Sequence, residues 1–162
     1  MQSHLPATPK EALRQLQLLF FGMVAGVLLF SVTLIFLKQT GTMPPVVTDK
    51  SVMNILLIAM LLAAAACVYL AVFFYRKKLK ALQQGNSVLM EKFNTYRPAL
   101  AQFLVLNEVP ACLSMIFYLL TCAVHFLVIA GILWINMILK YPAKSKIFNE
   151  LQLNTAEQME LN

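Results

Sequence analysis

Three long stretches of the chain carry almost no charge. Gln15 to Leu37 has none, and neither does Ser51 to Tyr75. Pro98 to Leu139 is interrupted by Glu108 alone. About 20 apolar residues in helical form cross roughly 30 Å of hydrocarbon. The first two stretches therefore read as one span each. The third is twice as long and must fold back, and Thr121 and His125 mark the place for a tight turn. The pattern predicts an all-α, polytopic membrane protein. It has a four-transmembrane-helix bundle, with helices at about 16–37, 53–75, 99–120 and 124–141, and short amphipathic cytoplasmic segments. Residues 1–15 form a tail and the start of the first helix, 16–141 a single membrane domain, 76–98 a cytoplasmic loop and 142–162 a C-terminal tail.

Local signals mark the ends of these elements. Thr8-Pro9-Lys10-Glu11 offers an N-cap hydroxyl, a proline at the first helical position and a glutamate three places after the cap. The first run is too long for the h-region of a cleaved signal, and no small-x-small site follows it. The short loop after it holds Pro44-Pro45, and Thr48 or Asp49 can cap the second helix. "RKKLKALQQ" continues that helix outward, with Gly85 as its stop. Asn86 or Ser87 can then start a separate amphipathic helix carrying Val88, Leu89, Met90, Phe93 and Tyr96. That helix is expected to lie against headgroups or the base of the bundle until Pro98 opens the third span. In the tail, Ile147, Phe148, Leu151 and Leu153 form one apolar set, and Asn154 with Glu157 looks like an N-cap for a second short helix. The acidic last residues can dock under the basic second loop or serve a partner protein.

Composition strengthens the membrane reading. Of 162 residues, 60% are hydrophobic and 12% charged, against about 45–50% and 25% in soluble domains. The net charge is +6, and its placement matters more than its sum. Lys38 and Lys50 flank the first loop, whereas all other lysines and arginines lie in the two tails and the second loop. By the positive-inside rule both termini and the second loop are cytoplasmic, in the cytoplasmic (inner) membrane. No basic, aromatic-rich face suggests nucleic acid. Cys67, Cys112 and Cys122 lack ligand spacing and read as small apolar side chains, so no metal or cofactor is expected. His4 and His125 are far apart, no catalytic motif is present, and the chain is not expected to be an enzyme.

Helices in lipid meet through small residues and polar contacts. Gly22 and Gly26 form a GxxxG, and the second span holds Ala63 to Ala66 at similar depth. Close approach of spans one and two is expected there, or a homodimer through the same glycines. Arg76, Lys77, Lys78 and Lys80 read first as a stop-transfer and orientation signal, with contact to anionic lipid as the alternative. Glu108 is the remaining problem. It lies near the midplane, where an unpartnered charge costs about 3 kcal/mol. It is expected to face the bundle or a neighbouring protomer with its carboxyl neutral, and Asn107, Tyr69 and Asn136 are its nearest polar candidates. Pro110 adds a free carbonyl at Leu106, because proline has no N–H to donate to it. Two functions follow. One is a structural or accessory subunit, acting through helix packing and the cytoplasmic segments. The other is a small proton- or cation-coupled transport component using Glu108.

The stretch "VLNEVPACLSMIFYLL" faintly resembles the carboxylate helix of the rotary ATPase proteolipid, which also has a proline soon after a mid-membrane acid. That resemblance implies a proton-binding Glu108 in a rotor ring. The chain departs from the family in its glycine-poor first helix, in lacking a polar hairpin loop, and in placing both hairpin connectors outside. Over roughly the last 70 residues, "EKFNTYRPAL", "NEVPACLS", "YLLT" and "YPAKSKIFNELQLN" are similar to a group of small uncharacterised four-span membrane proteins of Bacteroidota. This implies inner-membrane residence and no particular activity.

Overall fold

The computed structural model describes residues 8–41, 44–84 and 88–160, and the regular structure among them is all helical. The order is α1 (Pro9–Gln39), α2 (Lys50–Gln84), α3 (Leu89–Thr121), α4 (Val124–Ile138), α5 (Lys144–Leu151) and α6 (Thr155–Glu160). The expected stop at Gly85 and caps at Asn86 or Ser87 lie outside the described residues.

Helix boundaries follow the capping chemistry. Thr8 Oγ1 accepts the Glu11 N–H at 3.3 Å, and Pro9 opens α1. The Asp49 carboxylate accepts the Ser51 N–H at 2.8 Å at the start of α2. Between α3 and α4 only Cys122 and Ala123 turn the chain, where Thr121 and His125 predicted a turn. Cys122 takes a left-handed conformation, φ 58°, and its N–H donates to Tyr118 O at 2.8 Å. The N–H groups of Val46 and Val47 both reach Leu120 O, at 2.9 and 3.1 Å, and hold the α1–α2 connection over this turn. We call this the loop end. The opposite, terminal end carries the start of α1, the end of α2, α5 and α6.

Helix α3 is the hub, packing on α2, α4 and α1. Leu100, Leu104, Ala111 and Met115 along it are buried almost completely. The separate amphipathic helix expected before Pro98 does not exist. Its apolar residues Leu89, Phe93 and Tyr96 are buried in the first turns of α3 itself, and both Pro98 and Pro110 lie inside that helix. Pro98 deprives the Asn94 carbonyl of its helical donor. Asn94 is exposed, so the vacancy can be met by solvent and the helix continues. Helix α4 is also shorter than the expected 124–141, ending at Ile138.

The outer surface is apolar. Leu29, Phe36, Ile55, Leu62 and Ile132 are each more than 60% exposed. Such a continuous apolar exterior is costly in water and inert in lipid. Three helices are long and apolar enough to cross a membrane, and α4 is a shorter apolar one. The arrangement is compatible with a helical membrane bundle. At 1.5 Å per residue, α1 to α3 are roughly 46–53 Å long, so they extend well past a 30 Å hydrocarbon layer.

Candidate functional site

Near the middle of α3 the fully buried polar residue is Asn107. Its Nδ2 donates to Phe103 O one turn earlier at 2.8 Å. Its Oδ1 accepts from Asn136 Nδ2 of α4 at 2.7 Å. Two of the expected polar residues thus meet, but each other rather than Glu108. Nearby, Ser114 Oγ donates to Phe126 O at 2.7 Å, and Trp134 Nε1 donates to Val24 O at 3.2 Å. These bonds tie α3 to α4 and α4 to α1. Asn107→Ala is expected to destabilise the bundle by about 1–2 kcal/mol, from a lost interhelical hydrogen bond and a small void. A double-mutant cycle with Asn136→Ala, followed by unfolding in detergent, should show coupling between the two sites; strict additivity would refute the pairing.

Glu108 is turned about 100° from Asn107 on the helix. It is half-buried, and its α3 neighbours Val105 and Val109 are exposed. It has no hydrogen bond or ion pair to another described residue. Two contacts define what it faces. Arg97 Nη1 donates to Gln15 Oε1 at 3.2 Å, and Lys38 Nζ to Leu119 O at 3.1 Å. Helices α1 and α3 are therefore parallel with an offset of 81–82 positions, which puts Gly26 and Val27 level with Glu108. Arg97 and Leu119 are each eleven residues from Glu108, so all three share one side of α3 to within about 20°. On α1, Gly22 and Gly26 lie within about 20° of Gln15 by the same rule. By helix phase Glu108, Gly22 and Gly26 consequently fall on the same flank of the α1–α3 pair, which is open at the two glycines. Both glycines are exposed, and a methyl group at either would meet nothing within 4 Å.

Two sequence expectations are corrected here. Gly22 and Gly26 do not pack against Ala63 and Ala66, which are themselves exposed. The cause is the hub position of α3. Lys78 of α2 reaches Gln102 at 2.8 Å, about 140° around α3 from Arg97, so α1 and α2 sit on different sides of it. Tyr69 is not a partner of Glu108 either. It is 69% exposed on the outer face of α2, stacked on Phe73 with centroids 6.2 Å apart. Equal depth in a bundle says nothing about azimuth. Of the basic cluster, Arg76, Lys77 and Lys80 are exposed, while Lys78 is half-buried by its bond to Gln102.

A second polar centre, at the terminal end, had no signal of its own in the sequence. Glu150 of α5 lies under the bundle. Tyr75 OH of α2 and Tyr96 OH of α3, 3.0 Å apart, both donate to Glu150 Oε2, the latter at 2.7 Å. Lys140 Nζ is 3.8 Å from Glu150 Oε1 and 4.6 Å from the centre of the Tyr75 ring. Gln83 Nε2 donates to the Glu150 carbonyl at 2.8 Å. Beside these bonds Ile147, Leu151 and Leu153 are buried. The tail therefore docks on the bundle base.

Farther along the tail, Lys92 Nζ pairs with Glu157 at 2.8 Å, as docking under the second loop required. Asn154 and Glu157 form a reciprocal capping box, with bonds of 2.9 and 2.8 Å. Burial alone would raise the Glu157 pKa, but the Lys92 ammonium and the Asn154 N–H outweigh it and leave the carboxyl below its usual 4.5. The folded pKa being depressed, this contribution is present above about pH 4.5 and is lost as pH falls through the folded value. The protection factors of amides in 153–160, taken relative to intrinsic exchange at each pH, should thus fall on acidification below pH 4.5, and Glu157→Gln should remove that dependence.

Comparison with known protein families, with curated proteins and with solved structures returned no match.

Proposed function

We propose that the chain is an integral protein of the cytoplasmic membrane, crossing it four times with both termini inside. Within the membrane it acts as a structural or accessory subunit through its helix faces and its docked cytoplasmic segments. The orientation rests on the charge distribution, since the terminal end bears eleven of the thirteen lysines and arginines. Helix α4, with 15 residues, is roughly 22 Å long. Lys140 and Tyr141 just beyond it supply an interfacial anchor for so short a span.

The observation that carries the accessory reading is Glu108. A carboxyl near the midplane, half-buried and without a partner among the described residues, costs free energy in lipid. A donor brought by a neighbouring membrane helix, from another protein or a second copy, offsets that cost. The α1–α3 flank, open at Gly22 and Gly26, gives such a helix room to approach. The alternative reading is transport, with Glu108 taking up a proton or cation. Its support is that no hydrogen bond from a described residue locks the carboxyl. Against it, transport needs a water path to the carboxyl. The apolar grooves between α1 and α4 and between α2 and α4 are lined by other residues, including Trp134 and Ile129. Co-purification in mild detergent together with proton-flux assays in proteoliposomes separates the two. A stoichiometric membrane partner without flux supports the accessory role, and Glu108-dependent flux by the chain alone overturns it.

A further inference from the structure

On the outer face of α2 toward the terminal end, Tyr69, Val72, Phe73, Arg76, Lys77 and Lys80 line a groove of about 540 Å³. At 100° per residue these six positions fall within about 140° of one another, on one face of the helix. Their order along it is chemical. The first three are apolar or aromatic, and the last three are cations. From Tyr69 to Lys80 the rise is about 16 Å, which spans an interfacial layer and the first part of an acyl chain. The stacked Tyr69 and Phe73 rings, 17° from parallel, make a flat apolar wall. Arg76, Lys77 and Lys80 are all exposed, and no acidic residue lines the groove. Lys78, on the opposite side of the helix, is spent on Gln102.

We propose that this face is a binding site for an anionic phospholipid. One acyl chain lies along Tyr69 and Phe73, and the phosphate is held by the Arg76 guanidinium and the Lys77 and Lys80 ammoniums. Charge complementarity selects the occupant. A guanidinium binds phosphate oxygens in bidentate fashion, and two flanking point charges reinforce it. A zwitterionic headgroup adds a cation of its own, which these three residues repel. A soluble acidic peptide has no use for the aromatic wall, which lies on the lipid-facing surface. The inference rests on membrane residence with the terminal end in an anionic leaflet, as proposed above, and not on any partner at Glu108.

The test measures lipid retention on the purified full chain by native mass spectrometry. Phosphatidylglycerol and phosphatidylcholine are compared, with inorganic phosphate as a competitor. The wild type is expected to retain phosphatidylglycerol in preference to phosphatidylcholine, and millimolar phosphate is expected not to displace it. The triple variant R76Q/K77Q/K80Q should bind phosphatidylglycerol on the order of 100-fold more weakly, as three interfacial cations are lost. Lys78→Gln should behave as wild type. An unchanged preference in the triple variant, equal binding of phosphatidylcholine, or displacement by phosphate alone would each overturn the site. Should the triple variant not fold, the wild type still decides: its preference must fall as salt rises, and a salt-independent preference refutes the site. A chain that stays in vesicles but shows no lipid selectivity refutes this inference alone, whereas one extracted from them by carbonate refutes the membrane reading itself.

Discussion

Glu150→Ala is expected to lower the stability of the detergent-solubilised protein by about 3 kcal/mol and to free the tail from residue 144 onward. The estimate follows from the hydroxyls that lose their acceptor. Tyr75 is 3% exposed and Tyr96 fully buried, so water cannot replace the carboxylate. A hydrogen bond to a charged group contributes about 1.5–3 kcal/mol. Two are lost, and the two phenols, 3.0 Å apart, recover part of that by bonding to each other. Lys140 simultaneously loses its Glu150 counter-charge and keeps the Tyr75 and Phe103 rings. Glu150→Gln retains one acceptor oxygen and should cost about half as much. Thermal unfolding measures the stability, and limited proteolysis between residues 143 and 154 measures the release. Wild-type stability and wild-type protection in Glu150→Ala would mean that the tail is held by Ile147, Leu151 and Leu153 alone.

Glu108→Leu should produce a different signature. Stability of the isolated chain is expected to stay level or rise, because a carboxyl with no partner among the described residues is replaced by an apolar side chain. Partner retention, by contrast, should fall about tenfold, as one intramembrane hydrogen bond of about 1–2 kcal/mol disappears. Glu108→Gln keeps hydrogen-bonding capacity without an ionisable proton, so it should preserve most of the association. A transport role predicts another ranking, in which Gln is as damaging as Leu because neither can release a proton. The pair of variants therefore distinguishes a hydrogen-bonding carboxyl from a titrating one. Loss of folding in Glu108→Leu would contradict both and make the residue an internal structural element.

The large features of the fold were legible because they depend on one-dimensional chemistry. Charge-free runs gave the apolar helices, and Thr8, Asp49 and the Asn154–Glu157 box gave ends that the hydrogen bonds reproduce. Proline was misleading at Pro98, since an exposed carbonyl at Asn94 tolerates the missing donor. Azimuth was harder to read than depth. Tyr69 and Tyr75 are both tyrosines of α2, but six residues rotate one about 240° from the other. Tyr75 is consequently the buried partner of Glu150, and Tyr69 faces outward. The same limit applied to Gly22, Gly26, Ala63 and Ala66, whose helices meet different sides of α3. The Glu150 cluster was illegible for another reason. Its members come from α2, α3, α5 and the segment after α4, so no window of sequence contains it.

Association through Glu108 is tested most directly by native mass spectrometry of the wild type, Glu108→Gln and Glu108→Leu released from membranes in mild detergent. The wild type is expected to emerge bound to a second membrane-embedded chain, with the complex largely kept in the Gln variant and lost in the Leu variant. A wild type that emerges alone, or a complex indifferent to Glu108→Leu, would contradict the account.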